Sequence, residues 1–372
     1  MWYYIPIFYS RDVDIIGQLY ITYEGRDITR EISPFVTAFT FTDNSSGKAD
    51  DISLTLMDRD SLWLMNWTPS KGDTITPSLA EGGLRLDCGA FTVDQIDYSF
   101  PPHIITIKAV SASPKTHTRF EPHSRSWEEN SLSGIAGSIA QDNGLECFYD
   151  AQDYPVQFRE QVQQADLPFL EELCGQFGLS LKISEGKLII FSESGYSLND
   201  PAASITPDDP RLISARFSSK SAGIYRKSRL TYHNPALDET FTAGYEDTDA
   251  EGTEQELEIF THVDSQEQAD AVAREALIRN NSAEITAQIT LSASPEFLAG
   301  VNADLKGFGM FSGKYFTDKV THTVAGGWTT TVTLKMGAEA KKSANRKKAK
   351  SRKQAATSAD GKEILADDTE GY

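Results

Sequence analysis

The most restrictive feature of this sequence is its segment 309–336, GMFSGKYFTDKVTHTVAGGWTTTVTLKM, in which large apolar residues alternate with threonine and lysine. A period of two residues indicates β-strands with one packed face and one wet face. A two-residue turn at Gly326-Gly327 would place the valines and Trp328 on opposite faces, so that neither face would be coherent. A three-residue loop, 325–327, brings them together and predicts the pairs Val324–Trp328, Val320–Val332 and Phe316–Met336.

The other face of this hairpin is predicted to be wet, because threonine favours strands and tolerates water. It comprises Tyr315, Thr317, Lys319, Thr321, Thr323, Thr329, Thr331, Thr333 and Lys335. The glycine that ends the loop, Gly327, is expected to supply the left-handed backbone. Trp328 is expected to pack with the valines in the core of the second of two β-rich regions. The wet face is open to three interpretations: a surface in water, a protein contact or the wall of a lumen.

Similar patterns divide the 372 residues into regions, since a chain of this length exceeds one comfortable core. The fold is predicted to be mainly β with an α+β insert. Residues 1–112 contain short strands separated by turns and predict a first antiparallel β-barrel-like domain. Residues 113–204 mix helix and strand patterns and predict a small α+β domain. Residues 205–337 predict a second β-barrel-like domain with one helix, and residues 338–372 predict a charged, disordered C-terminal tail.

Three helices are predicted from apolar residues that recur every three to four positions. The first lies in NSLSGIAGSIAQDNG and ends before Gly144. The second lies in ADLPFLEELCGQFG, with Asp166 as its N-cap. The third begins with a capping box formed by Ser265 and Gln268.

Composition indicates a globular protein, because 39% of the residues are hydrophobic and 10% are aromatic. No apolar run approaches the roughly 20 residues that cross a bilayer, and the first residues lack the pattern of a signal peptide. The three cysteines, Cys88, Cys147 and Cys174, are predicted to be buried thiols in a reducing compartment. The net charge of −19 argues against a grip on nucleic acid, because phosphate contacts need positive charge.

Two segments concentrate charge of one sign. Residues 238–258 hold nine acids and no base, which predicts an exposed loop or sheet edge. Residues 341–353, KKSANRKKAKSRK, hold eight bases. The basic segment has three interpretations: a solvated extension, a peptide that docks on the acidic body of a neighbour or partner, or a non-specific contact with nucleic acid.

No motif predicts a catalytic, cofactor-binding or metal site. The six histidines lack the helical spacing of metal ligands, and the nearest cluster, His117 with His123, has no further ligands. The segment Asp43–Asp51, DNSSGKADD, resembles a calcium loop only superficially, because its glycine is misplaced and the closing glutamate is missing. We predict a solvated hairpin loop there. Asp318 and His322 fall on the apolar face of the hairpin about 13 Å apart, and we predict buried, hydrogen-bonded side chains.

Five stretches, in order, resemble the phage tail hub family, also called late control D proteins. They lie between residues 19 and 335 and contain ITYEGRDITREISPF, CGAFTVDQIDYSF, SWEENSLSGIAGS, QADLPFLEELCGQFG and GMFSGKYFTDKV. Each stretch alone is weakly diagnostic. Their order along almost the whole chain makes the resemblance specific.

The resemblance implies a structural hub of a contractile tail baseplate and no enzymatic activity, cofactor or metal. It implies a homotrimer whose two β-barrel domains per subunit form a pseudo-sixfold ring between the hexameric tail tube and the trimeric spike. DNA would pass through the lumen without specific binding, and an acidic lining would favour this. Such a protein would be a virion component assembled in the host cytoplasm, with a separate spike protein because the chain stops at residue 372.

Two questions stay open at this stage. The alternative function is a tail-associated cell-wall hydrolase or glycan-binding module. The 54 acids leave room for a catalytic carboxylate pair, although no motif marks one. The resemblance is also equally compatible with an infectious phage, a prophage, a bacteriocin-like tail and an injection system.

Overall fold

The fold is described from a computed structural model of the chain. It describes residues 19–59, 61–65, 67–111, 121–184, 186–235, 238–248, 250 and 254–337. The predicted tail and His117 therefore lie outside the described residues. Within these ranges, every helix is too short or too polar to cross a membrane.

The first part of the chain is built almost wholly of strands. Its elements are β1 (Leu19–Tyr23), β2 (Arg26–Asp27), α1 (Thr29–Ile32), β3 (Val36–Asn44), β4 (Asp51–Met57), α2 (Leu62–Met65), β5 (Thr74–Glu81), β6 (Leu84–Asp87), β7 (Phe91–Ser99) and β8 (Ile104–Ser111).

The middle part alternates helices and strands. Its elements are β9 (Pro122–Ser131), α3 (Leu132–Asp142), β10 (Glu146–Asp150), β11 (Pro155–Ala165), α4 (Asp166–Gln176), β12 (Leu179–Ser184), β13 (Lys187–Ser192), α5 (Glu193–Tyr196) and β14 (Ala203–Ile205).

The last described part returns to strands around one long helix. Its elements are β15 (Leu212–Ser219), β16 (Lys227–Asn234), β17 (Glu239–Glu246), β18 (Glu256–Ile259), α6 (Gln266–Asn281), β19 (Ile285–Ser292), β20 (Asn302–Leu305), a 3₁₀ turn (Gly309–Phe311), β21 (Gly313–Val324) and β22 (Trp328–Met336).

One sheet of fourteen strands joins the first and last parts of the chain. Its strand order is β15-β19-β22-β21-β3-β4-β8-β7-β5-β1-β2, with β6, β14 and β20 attached beside this path. The join is the antiparallel pair β21–β3, in which Thr321 lies opposite Thr42 and Thr323 opposite Thr40. The predicted mainly β fold with an α+β portion is confirmed, while no sheet among the described strands closes into a barrel.

Three smaller sheets complete the structure: β10-β13-β12, the pair β11-β9, and β17-β16-β18. Strand β17 opens the acidic segment and forms an edge of the last of these sheets, with exposed Glu239 and Glu246. The predicted exposed edge is therefore confirmed for the described part of this segment. Charged side chains on an edge strand discourage pairing with other chains.

Buried apolar residues form three clusters. One contains residues of α3, α4 and β12–β13 together with residues of β16, β17 and α6. A second fills the first β region, and a third lies under β19–β22. The predicted domain boundaries stay predictions; the structure adds that α6 belongs to the same core as the predicted α+β domain.

The helix ends follow the sequence signals in two of three cases. Ser131 caps α3 by accepting from the Gly134 N–H, and α3 ends at Asp142 before Asn143-Gly144, as predicted. Ser265 caps α6 by accepting from the Gln268 N–H. The Gln268 side chain returns to the N–H of Asp264, one residue earlier than in the predicted box.

The predicted N-cap of the second helix is wrong. The N-cap of α4 is Ala165, and Asp166 is the first helical residue. Its carboxylate instead accepts hydrogen bonds from Arg125, Gln161 and Asn143. The residue type is one that favours a cap, but buried partners elsewhere in the fold occupy its oxygens.

The three-residue hairpin loop is confirmed. Val324 lies opposite Trp328 and Val320 opposite Val332. The left-handed residue is Gly326, at φ +78°, rather than the predicted Gly327. Val324 and Trp328 belong to the core of the first β region, so the predicted place of Trp328 in the second core is wrong. The pairing of β21 with β3 carries the hairpin tip into the first region.

The predicted register is wrong for the part of β21 that precedes Lys319, because this strand contains a bulge at Asp318. Phe316 lies opposite Lys335, and Tyr315 lies opposite Met336. Tyr315 and Thr317, predicted to be wet, are fully buried. One extra residue in a strand inverts the faces of everything that precedes it.

Candidate functional site

The outer face of the long sheet is lined by hydroxyl groups, and we call it the hydroxyl face. Residues on neighbouring strands lie directly opposite one another across both β regions. One row runs Ser214, Thr290, Thr331, Thr321, Thr42 and Asp51, and a second runs Ser292, Thr329, Thr323, Thr40, Ser53 and Lys108. The predicted polar face of one hairpin is thus part of a surface seven strands wide, from β15 to β8.

Most charges on the hydroxyl face are close to a charge of opposite sign. Lys335 forms an ion pair with Asp318, which the bulge turns toward this face, and Lys108 pairs with Asp97 at 3.0 Å. Burial raises the pKa of Asp51, and the charge of nearby Lys319 partly opposes this shift. The surface is therefore nearly neutral, unlike the strongly acidic chain as a whole.

The bulge places Asp318 and His322, the two residues of the hairpin that suggested chemistry, on opposite faces of the sheet. His322 is fully buried and its ring stacks on Phe41 at 5.9 Å. Its Nδ1 accepts from the Trp328 indole N–H at 3.2 Å, and burial lowers the pKa of His322 to about 4. The imidazole is therefore neutral at pH 7 and structural, as predicted. Asp318 is partly exposed, so its predicted burial is wrong.

The segment Asp43–Asp51 connects β3 and β4 as the predicted hairpin loop, but only its tip, Gly47 and Lys48, is exposed, whereas its base is buried. Asp43, Asn44, Ser45 and Asp50 are each less than a tenth exposed. We call this segment and its partners the polar junction, because it touches the middle and last parts of the chain. The sequence offered no local signal for this burial, since every residue of the segment is small or polar.

The centre of the polar junction is one lysine facing two aspartates. The Lys182 ammonium, on β12, is in ion-pair contact with Asp43 and lies 3.9 Å from Asp50. The second oxygen of Asp43 accepts the N–H of Ala299 at 2.8 Å. Burial raises the pKa of Asp50 to about 7; the lysine opposes this shift and the charge of Asp43 adds to it.

Further hydrogen bonds surround this charged centre. The Ser45 N–H donates to the Asp318 carbonyl at 2.9 Å, and the Ser46 hydroxyl donates to Glu193 at 3.2 Å. Glu193 also accepts from Ser180 of β12 at 2.6 Å. The junction therefore ties the β3–β4 connection to the middle part and to the hairpin by bonds that require fixed positions.

A second buried carboxylate organises the middle part. Asp166 is nearly inaccessible and contacts His123 at 2.9 Å and Arg125 at 2.6 Å. Burial opposes its ionisation, but hydrogen bonds from Gln161 and His123 and the charge of Arg125 outweigh it and lower the pKa of Asp166. Arg125 in turn lies 4.5 Å from the ring centre of Trp127. These contacts of Asp166 are all with residues of the middle part of the chain.

The remaining candidate residues also have structural surroundings. Cys88 and Cys174 are buried as predicted, whereas Cys147 is only half-buried. Burial raises the pKa of Cys174 to about 12, which makes this thiol unreactive. Across the described residues, histidine, cysteine and carboxylate side chains form no group of three that could hold a metal ion. The absence of catalytic, cofactor-binding and metal residues stays a prediction.

Known proteins similar to this chain are phage tail components. A family model described as "Putative phage tail protein" matches residues 168–299. The "Probable baseplate hub protein" of Escherichia phage 186 is 30% identical over 181 residues, which are 48% of this chain and 45% of that protein. The corresponding protein of Escherichia phage P2 is 30% identical over 194 residues, or 50% and 49%. The chain thus matches about half the length of these relatives.

Solved structures with a similar fold come from the same class. The 43 kDa tail protein of prophage MuSo2 from Shewanella oneidensis has a TM-score of 0.68 at 15% identity, over 87% of this chain and 99% of that one. The tail protein from Neisseria meningitidis MC58 has a TM-score of 0.63 at 10% identity, over 86% and 96%. The resemblance to phage tail hub proteins is therefore confirmed: about half of the chain is similar in sequence to probable baseplate hub proteins, and its fold is similar to that of solved phage tail proteins.

Proposed function

We propose that this protein is the structural hub of a contractile tail baseplate, a homotrimer that adapts the hexameric tail tube to a trimeric spike. The observation that carries the proposal is the continuous sheet with one packed face and one hydroxyl face. Two β regions joined edge to edge within each subunit give a trimer six such units, which matches the symmetry of a hexameric tube. The baseplate of a virion, or of a phage-derived particle, assembled in the host cytoplasm, is the corresponding location.

The hydroxyl face is the proposed wall of the ring lumen. Threonine and serine hydroxyls and paired charges offer phosphate groups no row of free cations, so DNA would pass without specific binding. In this proposal DNA passes because the hydroxyl face is nearly neutral, whereas the net charge of the sequence had suggested an acidic lining of the lumen. If the face is instead a contact between subunits, charges placed on it are expected to break the trimer.

Mass photometry of the purified chain tests the trimer. The expected particle has three times the 41.0 kDa mass of the chain. The hub proposal also predicts no clearing of a peptidoglycan suspension in a turbidity assay. A monomer that clears peptidoglycan would overturn the proposal in favour of a tail-associated hydrolase.

Substitutions on the hydroxyl face separate a lumen wall from a subunit contact. Thr321→Arg and Thr331→Arg together place two charges at the centre of the face, on adjacent strands. If the face lines a lumen, the trimer persists and gains salt-sensitive affinity for DNA, measured by anisotropy of a labelled duplex. Loss of the trimer with an intact circular dichroism spectrum would assign the face to a subunit contact instead.

A further inference from the structure

An apolar cavity of about 420 Å³ opens at one end of the first β region. It is lined by residues of β1, α1, α2 and the segment that follows α2. Its lining is mostly aliphatic and aromatic: Ile21, Tyr23, Ile28, Ile32, Leu54, Trp63, Trp67, Pro69, Ile75 and Ile107. A concave apolar site at the mouth of a strand-built region is a common place for a bound group.

One wall of the cavity carries a buried donor in need of an acceptor. The Trp63 side chain is 6% exposed, and its indole N–H finds no acceptor among the described residues. A buried N–H without an acceptor is costly, by about 1–3 kcal/mol. An occupant that brings a carbonyl oxygen to this N–H would therefore gain more than its apolar contact alone.

The entrance is apolar and its charges are already paired. Trp67, which lines the cavity, is 42% exposed, which is unusual for a side chain of this size. The charged residues of the rim, Arg26 and Glu31, pair with each other at 3.4 Å. The cavity therefore suits an uncharged apolar segment and gives a charged ligand little to bind.

The chain itself contains such a segment directly before β1. Residues 2–9, WYYIPIFY, are uncharged and include five aromatic side chains. Its sequence has proline at position 6, a residue that disfavours helix for the residue before it, and non-helical segments have backbone carbonyls available to accept hydrogen bonds. Both properties, apolar bulk and free carbonyls, are those that the cavity requires.

The length of the connection allows the segment to reach the cavity of its own chain. Residues 10–18 span up to about 30 Å when extended. The segment joins the structure at Leu19, and the cavity-lining residues of β1 extend to Tyr23, about 13 Å away along the strand. We propose that residues 2–9 dock in this cavity in cis, with a backbone carbonyl accepting the Trp63 N–H.

A peptide titration tests the docking. A labelled peptide of residues 1–12 is titrated into the chain that lacks these residues and followed by fluorescence anisotropy. Saturable binding is expected, at least tenfold weaker for Ile28→Glu, which puts a charge into the lining, and for Trp67→Ala, which truncates a half-exposed wall. Leu84→Glu is the matched control: Leu84 is 44% exposed but lies outside the lining, so binding should stay within twofold.

The full-length chain should bind the same peptide at least tenfold more weakly, because its own segment fills the cavity. Absence of binding to the shortened chain, or equal binding by Ile28→Glu, Trp67→Ala and the control, would overturn the proposal. These outcomes do not depend on whether the protein forms a trimer. The circular dichroism spectrum of each variant verifies that a loss of binding is not a loss of folding.

Cysteine cross-linking distinguishes docking in cis from docking between copies. The double variant Ile5→Cys/Thr68→Cys places one thiol in the segment and one at the cavity rim. Under mild oxidation a disulfide within one chain is expected, seen as a faster monomer band on a non-reducing gel. A cross-linked dimer from a mixture of the two single variants, without the intramolecular product, would overturn the assignment in cis.

Discussion

Replacing Lys182 by methionine tests the polar junction directly. The Lys182 side chain is 12% exposed, and those of Asp43 and Asp50 are each 6% exposed. Methionine keeps an unbranched chain of similar length but removes the ammonium group. The two aspartates then face each other in a buried space without a cation, although the Ala299 N–H still binds Asp43.

The size of the effect follows from this burial. Removing one partner of a buried ion pair typically costs about 3–5 kcal/mol, because an uncompensated charge stays in a medium of low polarity. At about 2 °C per kcal/mol for a large domain, we expect a fall in Tm of roughly 6–10 °C. Lys187→Met is the matched control: this exposed lysine lies on the neighbouring strand β13, and its loss should change stability by at most about 0.5 kcal/mol.

The pH dependence provides a second measurement by differential scanning calorimetry. Protonation of Asp50 relieves its repulsion from Asp43, so the penalty of Lys182→Met should shrink as the pH falls from 8 to 5. Adding Asp43→Asn and Asp50→Asn should restore more than half of the lost Tm. A loss below about 1 kcal/mol, where burial implies about 3–5, or an equal loss at pH 5 and pH 8, would refute the charged-junction account.

Three further changes have expected outcomes. Asp50 has a pKa raised to about 7 by burial, so its contribution to stability is complete below about pH 4 and is lost as the pH rises through 7; Asp50→Asn should flatten the dependence of Tm on pH between 5 and 8. Leu334→Ala, in the core, should cost about 2–5 kcal/mol in denaturant unfolding, whereas Thr333→Ala on the hydroxyl face should cost at most about 0.5. Gly178→Ala should cost about 1–3 kcal/mol more than Gly186→Ala, because both glycines have positive φ but only Gly178 has a side chain of α6 at 2.2 Å from an added Cβ; equal costs would contradict this.

Sequence periodicity located most elements because it reports which side of a strand or helix meets the core. The hairpin loop followed from the requirement that Val324 and Trp328 share a face, and the structure has that pairing. The bulge at Asp318 was not predictable in the same way. Tyr315 and Phe316 are adjacent aromatic residues, so the alternation with a bulge and the alternation without one each place a large ring on the packed face.

The polar junction escaped prediction for a different reason. A segment such as Asp43–Asp51 has the composition of a solvated loop, and composition reports only local preference. Its burial depends on Lys182, which is 139 residues away in the chain, and on Ala299, which is 256 residues away. The place of Trp328 in the core of the first β region was missed similarly, because the pairing of β21 with β3 joins segments with no shared local pattern.

The distribution of these interactions explains how three parts of one chain keep fixed positions. Strand pairing holds β21 to β3, but apolar faces alone tolerate small slides with little loss of buried area. The polar junction does not tolerate them, because a shift of one residue would leave Asp43 without either Lys182 or the Ala299 N–H. The polar junction acts more by making other arrangements of the three parts unfavourable than by increasing the free energy of unfolding. The ring proposed above requires this property of its subunit, because small errors of angle accumulate at every interface of a ring.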